Sequence, residues 1–180
     1  MRYFRLSLTF LIAIVPVLVF SQQPSKQELR KQVREYRIAH EQELFDELVE
    51  WLYIPNVAND QLNIRKCAAW LKSAMERRGI TARILETGGS PVVYGELNVP
   101  GANRTIMFYS HYDGQPVDPT KWIDMEPFTP TLRPRKMEAG STEPKPIPLP
   151  KKGEKINEEW RLYARSASDD KSPITALLAA

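Results

Sequence analysis

Two short stretches of the 180-residue chain carry side chains that could do chemistry. The first is His111-Tyr112-Asp113, and the second is Asp169-Asp170-Lys171. One ring nitrogen of a histidine can bind a metal ion while a nearby carboxylate holds the other nitrogen and fixes the tautomer. A carboxylate has two oxygens and can bridge two cations. Structural interpretations stay open, because a lone histidine commonly serves packing and an acidic pair commonly caps a helix.

The surrounding residues predict the elements that position these stretches. The apolar run 105–109 is typical of a strand covered on both faces of an α/β sheet, and it ends just before His111. Open α/β sheets bind their ligands beyond the carboxyl ends of such strands. Periodicity and turn signals predict the other elements: a long amphipathic helix from a Ser25 cap to just before Pro55, a helix from residue 59 or 60 to 78, strands at 81–86 and 92–97, and a helix over 173–180.

A stretch rich in proline and lysine, at about residues 133–159, separates the two candidate segments. Its low apolar content predicts an exposed, irregular insertion. A basic binding arm is the alternative, although acidic residues are mixed throughout the stretch.

The composition and the first residues set further limits. One cysteine and two histidines exclude an internal disulfide framework, a multi-thiolate zinc site and a histidine-rich site. A net charge of +3 gives little support to nucleic-acid binding. Basic residues followed by an apolar run over 6–20 predict a signal peptide at 1–21, with an uncleaved anchor as the alternative. We expect a secreted or periplasmic protein with no stable membrane span after cleavage.

Taken together, the motifs resemble the M20 metallopeptidase family. Residues 105–119 and 162–171 carry its paired H-x-D and D-D-K blocks. The sequence Gly-Gln-Pro-Val-Asp-Pro at 114–119 and Ser-Asp-Asp-Lys at 168–171 are similar to the dipeptidase and carnosinase-like branch, as is the stretch 86–95. The likeness extends over roughly residues 26–180.

The resemblance implies a two-metal hydrolase. His111 would bind one metal ion, Asp113 would hold its imidazole, and Asp169 would bridge the two ions, followed by a cis peptide bond. The ions would be zinc, with manganese or cobalt as alternatives, and a water activated between them would attack a peptide or acyl-amide carbonyl. The implied substrate is a small peptide or an N-acyl amino acid, and the implied parent enzyme is a homodimer.

The implied fold is a mixed, mostly parallel α/β sheet flanked by helices, forming part of a di-zinc exopeptidase-like catalytic domain over 22–180 without the lid or dimerisation domain. Small residues replace two family glycines, at Ser166 and Ser172. The family's general base and remaining ligands come from later sequence, and no acidic residue or histidine follows Lys171. We therefore expect an N-terminal portion of such an enzyme that is inactive by itself. A secreted non-catalytic binding module and an N-acyl amino acid deacylase are the alternatives.

Overall fold

The computed structural model describes residues 24–180, so the predicted signal peptide at 1–21 lies outside the described residues. The helices are α1 (Lys26–Ala39), α2 (Glu41–Leu52), α3 (Gln61–Glu76) and α4 (Ser172–Ala179). The strands are β1 (Thr81–Leu85), β2 (Val92–Glu96), β3 (Thr131–Arg133) and β4 (Arg161–Tyr163). A 3-10 turn spans Pro119–Lys121, and a kinked turn over Ala167–Lys171, with non-helical backbone angles at Asp169 and Asp170, leads into α4.

The prediction of a single long helix before Pro55 is wrong, because the structure has two helices, α1 and α2, in this range. His40 ends α1 and precedes α2 with φ −110° and ψ 12°, outside the helical region. Its ring stacks on Tyr36 at 4.1 Å and its Nδ1 lies 3.0 Å from Glu43, so local contacts of the histidine side chain accompany the break. No residue of α1 is buried, and the apolar face that the periodicity predicted to be covered is exposed.

The main core forms where α3 packs on the β1–β2 hairpin. The predicted Asp60 cap is present, since its side chain accepts a hydrogen bond from the backbone of Asn63 at 3.1 Å. The core cluster joins α2, α3, α4 and the segment after residue 109: Trp51, Ile64, Cys67, Ala68, Leu71, Tyr112 and Ile174. Burial raises the pKa of the Cys67 thiol. The sequence therefore predicted α3 and both strands of this hairpin correctly.

Gly95 in β2 shows how closely the hairpin approaches α3. A Cβ at this position would lie 2.8 Å from Sδ of Met75 and 2.9 Å from a methyl group of Ile80. The absence of a side chain thus allows the strand to pack against the end of the helix.

The mixed α/β class with flanking helices is confirmed, but the described strands depart from the expected mostly parallel pairing. They form two antiparallel pairs, β1–β2 and β3–β4, and a parallel pairing occurs at the isolated bridge between Val57 and Gly114. The predicted buried strand at 105–109 is wrong, because no strand of residues 24–180 pairs with it. Met107 and Tyr109 are 88% and 91% exposed. A strand in a sheet interior needs hydrogen-bonded neighbours, which local sequence cannot supply.

The proline-rich stretch links β3 to β4 and is irregular, as expected, but it is anchored. The Arg133 side chain is fully buried and donates hydrogen bonds to the carbonyls of Pro144 and, at 3.0 Å, of Ile123. The backbone of Ile147 donates to Leu132 at 2.8 Å, and that of Met137 to the Tyr163 hydroxyl at 2.8 Å. The stretch therefore packs over the small hairpin while most of its side chains are exposed. Within residues 24–180, no helix has the length and apolar character needed to cross a membrane.

Candidate metal centre

The structure brings His111 and Asp169 together from separate parts of the chain. His111 follows the exposed segment 105–109, and Asp169 lies in the turn that precedes α4. Nε2 of His111 is 3.0 Å from Oδ1 of Asp169. Both side chains are accessible, with 44% and 72% of their surface exposed, so this pair lies at the surface and can be reached by an ion from solution.

Asp113 contacts the other nitrogen of the same imidazole. Nδ1 of His111 is 2.9 Å from the backbone carbonyl oxygen of Asp113 and 3.3 Å from its carboxylate oxygen Oδ1. In the neutral imidazole, a hydrogen bond from Nδ1–H to the carbonyl places the lone pair on Nε2, the nitrogen that faces Asp169. The orienting group is thus mainly the Asp113 backbone, supported by its carboxylate.

A second contact ties the two segments beside this pair. The Ser110 hydroxyl donates a hydrogen bond to Oδ2 of Asp170. The peptide bond between Asp169 and Asp170 is cis, as the family resemblance implies. Neighbouring residues of the two segments therefore meet twice, at His111–Asp169 and at Ser110–Asp170.

A buried asparagine, which the sequence reasoning missed, joins the surrounding loops. Asn56 is fully buried; its Nδ2 donates to the carbonyl of Tyr112 at 2.7 Å and its Oδ1 accepts from the Ser166 hydroxyl at 3.1 Å. Its own carbonyl accepts from the backbone of Gly114 at 2.7 Å. A Cβ at Gly114 would collide with the Ser166 hydroxyl, so glycine is required there. Apart from its place in a loop after a proline, Asn56 carries no sequence signal that could have identified it.

Ser166 has the backbone conformation that the family's glycine would adopt easily. Its φ is +64° and its ψ is 14°, in the left-handed region, where a side chain adds a steric cost. The backbone tolerates serine here, as expected, and the hydroxyl supplies the bond to Asn56.

Lys171 is buried and links the turn that carries Asp169 to the end of α2. Its Nζ donates to the carbonyl of Trp51 at 2.8 Å, within the last turn of α2, and to that of Ile54 at 2.6 Å, just beyond the helix. It also lies 5.6 Å from the centre of the Trp51 ring. Burial lowers the pKa of Lys171 to about 8. The lysine of the D-D-K motif therefore satisfies carbonyls at a helix C-terminus and does not face His111 or Asp169.

The charges around His111 favour a cation. The hydrogen bond to the Asp113 carbonyl raises the pKa of His111; burial opposes this rise in part, and the carboxylates of Asp113, Asp169 and Asp170 each add a smaller contribution to it. Groups that stabilise an imidazolium at this position would also attract a positive ion.

The pair fits two ligands of one metal ion but does not complete a site. Two ligands each about 2.0–2.2 Å from a tetrahedral zinc ion would stand roughly 3.3 Å apart, close to the observed 3.0 Å between Nε2 and Oδ1. Within residues 24–180, no group of three or more His, Cys, Asp or Glu side chains is arranged to hold a metal ion. The donor types and their separation therefore suit part of a metal centre that takes further ligands.

Comparison with solved structures finds M20 enzymes. The chain is 33% identical to the M20 family metallo-carboxypeptidase Sso-CP2 from Sulfolobus solfataricus, over 76% of this chain and 25% of that one, with a TM-score of 0.55. It is 17% identical to the di-peptidase Dug1p from Saccharomyces cerevisiae, over 83% of this chain and 30% of that one, with a TM-score of 0.58. No protein-family model and no curated protein matches the sequence.

The fold and the cluster define a mixed α/β protein with a histidine–carboxylate pair at the meeting point of two loops. The similarity shows that the chain is related to the M20 peptidases and carries part of their fold, which confirms the resemblance seen in the motifs. The chain spans less than a third of the length of the two solved structures.

Proposed function

We propose that this chain contributes two metal ligands, His111 and Asp169, to a metallohydrolase of the M20 type. The observation that carries the proposal is the 3.0 Å approach of the imidazole Nε2 to the Asp169 carboxylate, with the opposite ring nitrogen held by Asp113. The chemistry of a bound divalent ion there, zinc or alternatively manganese or cobalt, would be to acidify water and polarise a carbonyl. Asp169 would share its two oxygens between two ions.

The roles of the chain's own residues follow from their positions. His111 binds the metal ion through Nε2. The Asp113 carbonyl accepts a hydrogen bond from Nδ1–H, which keeps the proton on Nδ1 and leaves Nε2 available to the metal. The Ser110–Asp170 hydrogen bond joins the segment that carries His111 to the turn that carries Asp169. The contacts of Asn56 with both segments hold them together. The proposed substrate is a small peptide or an N-acyl amino acid.

Metal binding by the full chain tests this proposal directly. In isothermal titration calorimetry with zinc, we expect the unaltered chain to bind and His111→Ala or Asp169→Ala to lose at least about tenfold in affinity. His40→Ala is the matched control, because it removes the other histidine, which stacks on Tyr36 at the junction of α1 and α2. If His40→Ala weakens zinc binding as much as His111→Ala does, the assignment of the ligands is wrong.

The substrate class needs a separate assay on the full-length enzyme. Dipeptides, longer peptides with a free carboxyl end and N-acyl amino acids distinguish a dipeptidase, a carboxypeptidase and a deacylase by which of the three substrates is hydrolysed, measured as the release of a new amino group. Peptides are the first substrates to test, because the two similar solved structures are those of an M20 family metallo-carboxypeptidase and a di-peptidase. Full turnover by His111→Ala and Asp169→Ala variants would contradict the proposed metal centre.

We also propose that the protein is exported. The support is the basic start, the apolar run over 6–20 and Ser21 at the expected cleavage point. Cell fractionation followed by N-terminal sequencing should find the protein outside the cytoplasm and beginning near residue 22. An intact Met1 on a cytoplasmic product would contradict export.

A further inference from the structure

Part of the proline-rich stretch lies along the edge of β3. The backbone N–H of Ile147 donates to the carbonyl of Leu132 at 2.8 Å, and these two residues form an isolated antiparallel bridge. On its other side, β3 pairs with β4 in the antiparallel hairpin. Residues 144–150, which we call the strap, therefore occupy the position of a third strand in this small sheet.

Every second residue of the strap is a proline. Its sequence is Pro-Lys-Pro-Ile-Pro-Leu-Pro, and a residue that precedes proline favours an extended backbone. In an extended strand, the N–H groups of successive residues point to opposite sides. Because the N–H of Ile147 points to β3, the nitrogens of Pro146 and Pro148 face away from it, and proline nitrogen carries no hydrogen. The outer edge of the strap is thus without N–H donors at these two residues.

The burial of the strap agrees with this orientation. Pro146 and Pro148 are exposed, whereas the first and last prolines of the strap are buried. The carbonyl oxygens of these two end prolines accept hydrogen bonds from the side chains of Arg133 and Gln42, respectively. Both ends of the strap are therefore fixed to the rest of the molecule, while the two middle prolines face solvent.

Exposed lysines add a charge to the same edge. Lys145 lies within the strap, and Lys151 and Lys152 follow it directly; all three are exposed. Residues 144–152 include no acidic residue. Proline and lysine are the residues with which proteins commonly prevent further strands from adding to the edge of a sheet.

The chain also carries a segment that could add to an open edge. Residues 105–109 are Thr-Ile-Met-Phe-Tyr, with β-branched and aromatic side chains, no charge and no proline. They are exposed, and no strand within residues 24–180 pairs with them. Short segments of this composition form intermolecular sheets when a sheet edge is available to them. A second copy of the chain therefore brings a strand that could extend the sheet.

We propose that the strap is an edge guard, which ends the β3–β4 sheet and prevents segment 105–109 of a second copy from pairing with it. An incoming strand would meet carbonyl oxygens at Pro146 and Pro148 but would receive no hydrogen bond from either nitrogen. Its own carbonyl groups would lose water without gaining a donor, which makes the pairing unfavourable. The inference does not rest on the proposed metal centre, because the strap contains none of the proposed ligands.

Restoring the missing donors tests the edge guard. Pro146→Ala combined with Pro148→Ala adds two outward N–H groups and keeps Ile147, which forms the bridge. Light scattering over a concentration series measures self-association of the full chain, and we expect an association constant at least about fivefold larger for this double variant. Pro24→Ala combined with Pro100→Ala is the matched control, because both prolines are exposed and lie outside the strap. The control should associate like the unaltered chain.

A third variant identifies the incoming strand. Phe108→Lys, added to the double strap variant, places a charge in segment 105–109 and should return self-association to the level of the unaltered chain. Association that persists undiminished would overturn the proposal, because another surface would then be the one that pairs.

The remaining outcomes also decide the matter. Equal association of the double strap variant and the unaltered chain overturns the edge guard, and so does an equal rise in the control. Hydrogen exchange at the Ile147 amide, measured by NMR, shows whether the bridge survives in the double strap variant. Retained protection supports the added donors as the cause of association, whereas lost protection would show that release of the strap is the cause and would overturn the proposal.

Discussion

Ser166 donates its hydroxyl proton to the amide oxygen of Asn56 at 3.1 Å, and both residues are buried. The bond links the loop after α2 to the turn that carries Asp169. It forms although Ser166 holds a left-handed backbone conformation that disfavours any side chain. The hydroxyl thus offsets part of the backbone cost at a position where the family often has glycine.

Two substitutions at Ser166 should separate the hydrogen bond from the backbone cost. Ser166→Ala keeps the strained backbone and leaves the Asn56 oxygen without its partner, so we expect a loss of about 1–3 kcal/mol in the free energy of unfolding. Ser166→Gly relieves roughly 1 kcal/mol of backbone cost and should lose less. Urea denaturation measures both, with the exposed Ser141→Ala as control. A glycine variant less stable than the alanine variant would contradict this account.

Asp113 offers a sharper test of how His111 is oriented. Because the backbone carbonyl is closer to Nδ1 than the carboxylate is, Asp113→Asn should retain the correct tautomer. We expect zinc affinity to fall by about tenfold or less, which is the lower end of the roughly 10–100-fold loss typical when a residue that orients a metal ligand is replaced. Calorimetry with zinc provides the measurement. A loss as large as that of His111→Ala would show that the carboxylate binds metal itself.

The correctly predicted elements are those fixed by nearby residues. Asp60 caps α3 by accepting a hydrogen bond from Asn63, three residues further along the chain. Residues 81–96 contain both strands of a hairpin and the turn between them. Their signals are local, so one short stretch of sequence contains all the information needed. The joining of His111 to Asp169 was foreseen because two motifs of one family occur together.

The features that were missed depend on partners distant in the chain. The run 105–109 has the composition of a buried strand, but pairing requires neighbours that composition does not reveal. Asn56 and Lys171 likewise acquire their roles through carbonyl groups of remote segments. A polar residue shows no pattern that distinguishes a buried hydrogen-bonding role from exposure at the surface.

Glu47 should make stability depend on acid pH. Burial alone would raise the pKa of Glu47, but the hydrogen bonds and charges of Arg78 and Arg77 together lower it below 4.5. The folded state therefore binds this proton less readily than the unfolded state does. The stabilisation is complete above pH 4.5 and is lost as the pH falls through the lower, folded-state pKa.

Glu47→Gln tests this expectation. At neutral pH, we expect the variant to lose about 1–3 kcal/mol in the free energy of unfolding, because the charged hydrogen bonds to both arginines weaken. Below pH 4 the difference from the unaltered chain should shrink. Glu76→Gln, which removes an exposed pair with Lys72, should change stability by less than about 0.5 kcal/mol. A gap between Glu47→Gln and the unaltered chain that persists undiminished in acid would refute the mechanism.

Lys171 connects the turn that carries Asp169 to the core, and its removal should affect both. Lys171→Met keeps most of the buried volume but leaves the carbonyls of Trp51 and Ile54 without their donor. We expect a loss of about 2–4 kcal/mol in the free energy of unfolding by urea denaturation. Lys66→Met on the exposed face of α3 is the control and should change stability by about 0.5 kcal/mol or less.

The same variant also tests whether the core positions Asp169. Since Lys171 lies two residues after Asp169 and fixes the turn to α2, Lys171→Met should weaken zinc binding even at temperatures where the chain stays folded. Circular dichroism confirms folding, and calorimetry at the same temperature measures the affinity. Because the lysine touches neither His111 nor Asp169, a folded variant with unchanged zinc affinity would limit Lys171 to a purely structural role at the end of α2.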